Sequence, residues 1–578
     1  MNLIEALNIV KAQVAKDAPE MGIFLACGFT PLHMQTYLHS FLRQRFPNHR
    51  IRFENGVYGD LAGNLRRALE GRYDCVVALI EWSDIDLRLG IRSLGTWRAD
   101  HLSDVLQSAE QQVERLKQSI AELDVKCPCV VALPTLPLPP LFPQRTAQAS
   151  QAESHLRQLV ADLGASIASN AHARLVSAQA LEEVSPLRGR FDVRSEIMSG
   201  FPYNLTHVEA LSRLLADLIQ DPVPKKGLIT DLDDTLWSGI LGEIGPENVS
   251  WDLAGNALLH GLYQQFLESL ASTGVLLAVA SKNDPVLADQ TLERSDLILS
   301  KKSVYPIECN WSKKSESVER ILAVWNISSD AVVFVDDSPM EVAEVQAAFP
   351  QIDCRVFPKN DPQGVLQLLR ELRDIFGKNR ISADDALRLE SIRFARTLER
   401  RAVCDAASED GFLRDSMAAI VFEMNRKDDA RAFELLNKTN QFNLNGRRLT
   451  EGEWTRYLGD PAAFLLSVQY EDKYGRLGKI AAVLGRRNGE QAVVDYWVMS
   501  CRAFSRRIEH ACLKHLFDNF NVKEALLEYR PTERNGPVRE FLKSLAPLPL
   551  ASPVRLLKED VGLRLPQLYH RVEDASND

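Results

Sequence analysis

The chain has 578 residues, 45% of them hydrophobic and 25% charged, with a formal net charge of −10 at neutral pH. That length exceeds what one core can bury and predicts roughly three or four domains. The negative balance argues against a binder of phosphate backbones, and no apolar run reaches the length of a membrane span.

The first stretch, MNLIEALNIVKAQVAKDAPEMG, has apolar residues at helical spacing with acidic residues among them, and predicts an amphipathic helix rather than a secretion signal. Nine cysteines are scattered along the chain, which points to reduced thiols and a cytoplasmic protein. IFLACGF, CVVALI and CVVALPTL read as buried strands, and HLSDVLQSAEQQVERLKQSIAEL as a long amphipathic helix. The Pro-rich LPTLPLPPLFPQR is a loop. Residues 1–222 thus form an α/β layer pattern that ends in the linker IQDPVPKKG.

Residues 223–378 repeat the alternation. GLITDLD, VLLAVAS and AVVFVDD are apolar strands ending in polar residues, LILS is a shorter one, and helical patterns lie between them. Continuous apolar runs of this kind suit parallel strands buried on both faces. A helical, charged linker is expected over 379–400. In 401–578, a meander of strands with Gly turns runs into a helix, an α+β pattern.

The polar strand ends of the middle segment carry the chemistry. The first ends in Asp231, Asp233, Asp234 and Thr235; the second in Ser281, Lys282 and Asn283. NWSKKSES brings Lys314, with Lys313 beside it as the alternative, and the last strand ends in Asp336 and Asp337. In open α/β sheets ligands gather at such carboxyl ends. Asp231 with Asp336 and Asp337 offers hard oxygen ligands for Mg2+, and the crowding of Asp233 beside them adds a fourth carboxylate. Asp231 has the place of a nucleophile toward phosphorus and Asp233 that of an acid/base. Ser281 and Lys314 are suited to hold phosphoryl oxygens, with Thr235, Lys282 and Asn283 alongside.

The four pieces in order resemble the haloacid dehalogenase (HAD) superfamily. Within it, DLDDTLWSGILGE, ASKNDP, NWSKKSES and FVDDSPME resemble the FkbH-like group, subfamily IIIC, and LLNKTNQFNLNGRR and VMSCRAF continue the resemblance. It implies a Mg2+-dependent enzyme that takes a phosphorylated acyl donor, 1,3-bisphosphoglycerate by default, removes phosphate and loads the glyceryl unit onto a phosphopantetheinylated acyl carrier protein in polyketide or related biosynthesis. A free-standing small-molecule phosphatase, or an acyltransferase with an accessory HAD part, are the alternatives. Fifty positions separate Asp231 from Ser281 and fifty-five Ser281 from Asp336, which leaves no room for a cap domain.

Residues 1–222 resemble an SGNH-hydrolase-like domain. Phe29, flanked by Cys27 and Thr30, stands where that resemblance implies a serine, and Asn204 and His207 stand for an Asp–His pair. Binding or scaffolding is therefore expected, with His207 as a helix-start or core histidine; Cys27 as nucleophile with His207 as base is the alternative. Residues 401–578 resemble a GNAT acyltransferase. Its phosphate turn reads Arg502-Ala503-Phe504-Ser505-Arg506-Arg507, with Ser505 and Arg507 where glycines would let a phosphate approach. Cys501, Arg502, Arg506 and Asn535 are the candidates for an acyl or phosphopantetheine site. The expected architecture is a capless, Rossmann-like HAD sheet flanked by these two domains.

Overall fold

The computed structural model describes all residues except 16–17, 221, 379–388, 390–391, 393–409, 411–412, 415, 425–428, 440, 474, 501–502, 505, 533, 547–549, 551 and 575–578. The expected linker 379–400 thus lies almost wholly outside the described residues, as do Cys501, Arg502 and Ser505. The chain divides into two compact units: Met1–Pro222 with Leu449–Asp460, and Val223–Arg448 with Pro461–Asp578.

In the first unit, β1 (Glu20–Cys27), β2 (Arg50–Asn55), β3 (Cys75–Leu79), β4 (Cys129–Ala132) and β5 (Ala173–Leu175) form a parallel sheet in the order β2-β1-β3-β4-β5. Because successive side chains point to opposite faces, Ile23, Leu25 and Cys27 join one apolar cluster while Phe24 and Ala26 join another. Both faces are covered by helices, the longest being Leu102–Asp124 as expected. The helix Glu451–Leu458 also belongs to this unit. Glu451 lies 2.5 Å from the Arg174 guanidinium, and Arg456 pairs with the buried carboxylate of Asp74. Gly452 packs so closely that a Cβ there would lie 2.6 Å from Asp74 Cα.

The second unit contains β6 (Gly227–Thr230), β7 (Leu276–Ser281), β8 (Val304–Cys309), β9 (Val332–Asp336) and β10 (Asp353–Val356), parallel in the order β10-β9-β6-β7-β8. β6, β7 and β9 are the three long apolar runs of the sequence. The expected strand LILS is not one. Leu299 is buried, but Ser300 caps a short 3₁₀ turn and the edge strand forms four residues later as VYPIEC. An edge strand tolerates Pro306, whose missing N–H would interrupt a central ladder. The chain from β6 to β9 is used by helices of the two covering layers, chiefly Leu258–Ser272, Pro285–Leu292 and Lys314–Trp325, with no separately folded insert.

The same unit carries an eight-stranded mixed sheet. β11 (Ala419–Met424) and the short β12 (Phe442–Asn443) pair respectively with the first and last strands of the expected meander, which is β13 (Ala463–Asp472), β14 (Gly475–Asn488) and β15 (Gln491–Met499), followed by helix Ile508–Asn519. β16 (Glu524–Leu527), β17 (Val554–Leu557) and β18 (Arg571–Asp574) complete it. No described helix in either unit is long and apolar enough to cross a membrane.

Candidate active site at the β6–β9 switch point

From β6 the chain steps to β7 and β8 on one side and, later, to β9 and β10 on the other. The carboxyl ends of β6 and β9 therefore flank the point where strand order reverses, and the crevice there is where such sheets bind ligands. Asp231 directly follows β6, its N–H donating to Val335 O at 3.0 Å so that it stays in register with β9. Asp336 closes β9 and is fully buried. Asp231, Asp336 and Asp337 each place a carboxylate oxygen within 4.8 Å of the other two.

Like charges at that distance in a buried setting need a cation. Part of it is Lys314, the first residue of helix Lys314–Trp325, with only 4% of its side chain exposed. Its Nζ lies 2.7 Å from Asp231 Oδ1 and also contacts Asp336 Oδ2. Lys313, the alternative, caps the same helix and is exposed. Asp231 Oδ1 is buried, and among the described residues its partner is the Lys314 ammonium. Burial opposes the charge on Lys314, but Asp231 and Asp336 outweigh it and raise its pKa. Burial, and then the charge of Asp231, hold Asp336 above the usual carboxylate range.

The loop after β6 is held by its own side chains. Asp233 Oδ1 accepts from Trp237 Nε1 at 3.0 Å and from Leu241 N–H at 3.1 Å. Its pKa is raised, with burial the largest cause. Asp233 thus lies at the site, but its carboxylate is not one of the three that converge. Asp234 adopts a left-handed backbone (φ 52°) and accepts from Gly239 N–H at 2.8 Å. Thr235 Oγ1 accepts the Asp337 N–H at 3.0 Å and so ties the two acidic loops together. At the end of β7, Ser281 is buried and its Oγ accepts from Asn283 Nδ2 at 3.0 Å. Lys282 is directed to Glu341 at 2.7 Å.

Sequence reasoning missed Lys359. It follows β10, and its Nζ bridges Asp234 Oδ2 (2.6 Å) and Asp337 Oδ2 (2.8 Å), a second cation for the acidic loops. Its position just past a strand end on the same sheet edge was the available signal. Trp237, which orients Asp233, has no motif to announce it.

The flanking candidates are engaged elsewhere. Asn535 is buried and donates to Asn443 O at 3.1 Å and Arg530 O at 2.8 Å, pinning a loop. Arg506 lies 3.7 Å from Asp472 and over the Tyr470 ring. His207 has both ring nitrogens occupied, by Thr135 Oγ1 at 3.1 Å and Ser185 Oγ at 2.9 Å, and burial lowers its pKa to about 3. Cys27 donates to Phe29 O, and burial pushes its thiol up to about 12. An imidazole with so little affinity for a proton and a thiol so reluctant to give one up do not make a nucleophilic pair.

Three converging carboxylate oxygens of hard character, two of them on buried residues, fit a Mg2+ ion, which relies on a few carboxylates and keeps several waters. No family model matches the sequence, and no curated protein does. Among solved structures, the N-terminal part of the protein BF1531 from Bacteroides fragilis, containing a phosphatase domain complexed with Mg, aligns with a TM-score of 0.51 at 18% identity. The alignment covers 66% of this chain and 100% of that one. The two share a fold. A chain from Listeria monocytogenes described as a UDP-N-acetylglucosamine 2-epimerase aligns over 66% of this chain and 97% of its own, but its TM-score of 0.15 at 9% identity carries no argument.

Proposed function

We propose that the chain is a Mg2+-dependent, HAD-type enzyme that removes phosphate from a phosphorylated acyl donor and delivers the acyl unit, glyceryl by default, to the phosphopantetheine thiol of a carrier protein. The observation that carries this reading is the convergence of Asp231, Asp336 and Asp337 around Lys314 at the β6–β9 switch point. The likeness of fold to a chain with a phosphatase domain supports it.

Asp231, Asp336 and Asp337 would hold the ion, which when bound supplies charge neutralisation for the phosphoryl oxygens. The Asp231 carboxylate attacks phosphorus while the bond from phosphorus to the substrate oxygen breaks, and Asp233 gives that oxygen its proton. Asp233 then takes a proton from water, whose oxygen displaces the Asp231 carboxylate from phosphorus and frees inorganic phosphate. Lys314 and the hydroxyl of Ser281 offset charge on the phosphoryl oxygens. At the acyl phosphate end, the carrier thiolate adds to the carbonyl carbon and phosphate leaves, so a thioester replaces the anhydride without an enzyme cysteine. The lack of a folded insert between β6 and β9 supports a macromolecular substrate such as a carrier arm.

The test is the intact mass of a phosphopantetheinylated carrier incubated with the protein, Mg2+ and 1,3-bisphosphoglycerate, with Asp231→Asn alongside. A glyceryl gain that requires Asp231 is expected, with phosphate release reduced at least about 10³-fold in the variant. Phosphate release without any carrier gain would reduce the reading to a hydrolase. Wild-type rates from Asp231→Asn would remove the site from the chemistry altogether.

A further inference from the structure

The N-terminal sheet has a switch point of its own, between β1 and β3. The segments that leave the carboxyl ends of β1 to β4 border an open-mouthed cavity of about 980 Å³, walled by Phe29, Tyr58, Trp82, Pro137 and Phe191 among others. That volume is in the range of a small-molecule site.

Its charges are unevenly settled. Arg88 is paired with Asp86 at 2.8 Å and Asp104 at 2.5 Å, and Arg92 with Glu196 at 2.9 Å. Asp60 is paired with Arg67 at 3.2 Å, and Arg115 is exposed. Two carboxyls, Glu81 and Asp84, have no cationic partner among the described residues. Glu81 is buried and saturated by neutral donors, including Thr135 Oγ1 at 2.6 Å and Tyr203 OH at 2.8 Å. Asp84 accepts one hydrogen bond, from Glu81 N–H to Oδ2 at 2.8 Å. Its Oδ1 accepts none among the described residues and lies over Gly28, where a Cβ would come within 1.7 Å of it. The bare glycine is what gives that oxygen its place. Burial, and then the charge of Glu81, push the Asp84 carboxyl up to about 7, as expected where no cation faces it.

We propose that this cavity binds a primary organic amine, its ammonium on Asp84 Oδ1 and its apolar body against the aromatic wall. An ammonium is held by a charge-assisted hydrogen bond to a carboxylate and by attraction to aromatic faces. The wall already accepts a cation, since the Arg92 guanidinium lies 5.7 Å from the centre of the Tyr58 ring. Trp82 is a fixed part of it, its Nε1 donating to Leu136 O at 2.8 Å. The proposal is independent of the chemistry at Asp231.

The experiment titrates the full-length protein with 2-phenylethylamine and with 2-phenylethanol, of the same shape without the charge, by calorimetry and by Trp fluorescence. The amine is expected to bind at least about tenfold more tightly than the alcohol. Asp84→Asn is expected to erase that preference, a loss of about 10- to 100-fold for the amine, since a hydrogen bond to a charged group is worth about 1.5–3 kcal/mol. Phosphate release should be unchanged by the variant. Equal binding of amine and alcohol to the wild type, or no binding of either at millimolar concentration, overturns the proposal even if Asp84→Asn fails to fold. A preference that survives in folded Asp84→Asn overturns it as well.

Discussion

Replacing Lys314 by Met tests whether the acidic cluster is built around positive charge. In the wild type, Nζ sits between Asp231 and Asp336, whose side chains are 9% and 0% exposed. Removing it leaves carboxylates within 4.8 Å of one another, a repulsion of roughly 3–4 kcal/mol at an effective dielectric constant of about 20. Stripping one partner from a buried ion pair costs about 3–5 kcal/mol in other proteins, in line with that figure. Lys314→Met is therefore expected to lose about 3–5 kcal/mol of stability without metal, read by denaturant titration followed through hydrogen exchange of β6 and β9. Saturating Mg2+ should recover much of it, because a ligand at about 100 times its dissociation constant contributes about 2.7 kcal/mol. The wild type should gain less, since Lys314 competes with the ion for the same carboxylates. A loss below about 1 kcal/mol, or equal Mg2+ stabilisation of both proteins, would refute the argument that these carboxylates are ionised together and held by countercharge.

Two further outcomes are expected. His207 has a folded pKa near 3 against an ordinary 6.5, so the unfolded chain takes up a proton that the folded one refuses. Its contribution is full above about pH 6.5 and is lost as pH falls toward 3, about 2 kcal/mol by pH 5; His39, lowered to about 4, acts in the same sense. Hydrogen exchange of β1 and β3 at pH 7.5 and 5 should show this slope, and His207→Gln should flatten it. At the acidic site, Trp237→Phe removes one of two donors to Asp233 Oδ1. It should lower the turnover number about tenfold with KM changed less than about twofold, the size of one modest hydrogen bond; a rise in KM alone would give Trp237 a role in binding instead.

The parts of the fold written in continuous apolar runs could be read directly: β1, β3, β4, β6, β7 and β9 are central strands buried on both faces. Edge strands were harder. β2 is RIRFEN and mostly exposed on its polar positions, β5 is three residues long, and β8 carries a proline. Asp231 and Asp336 were legible because they stand at the ends of β6 and β9, whose apolar runs place them in the sheet, and Lys314 because it begins the helix that leads into β9. Lys359 was not, since its partners stand 125 and 22 positions away and only the folding of β10 against β9 brings them together. Cys27 and His207, by contrast, look reactive by residue type. Their inertness comes from burial and neighbours, which spacing does not encode.

The helix Glu451–Leu458 has a practical bearing on how the gene can be cut. A fragment ending at residue 222 contains every strand of the first sheet, yet it lacks the arginine that faces Asp74 and the glutamate that faces Arg174. Asp74 would be left as a sequestered anion with its Oδ1 unanswered. Shortening the gene from its far end would carry the same defect into the first unit. Dissection of this protein by expression of pieces therefore calls for supplying residues 449–460 in trans or grafting them after the linker, because the order of the gene and the membership of the folded bodies do not coincide.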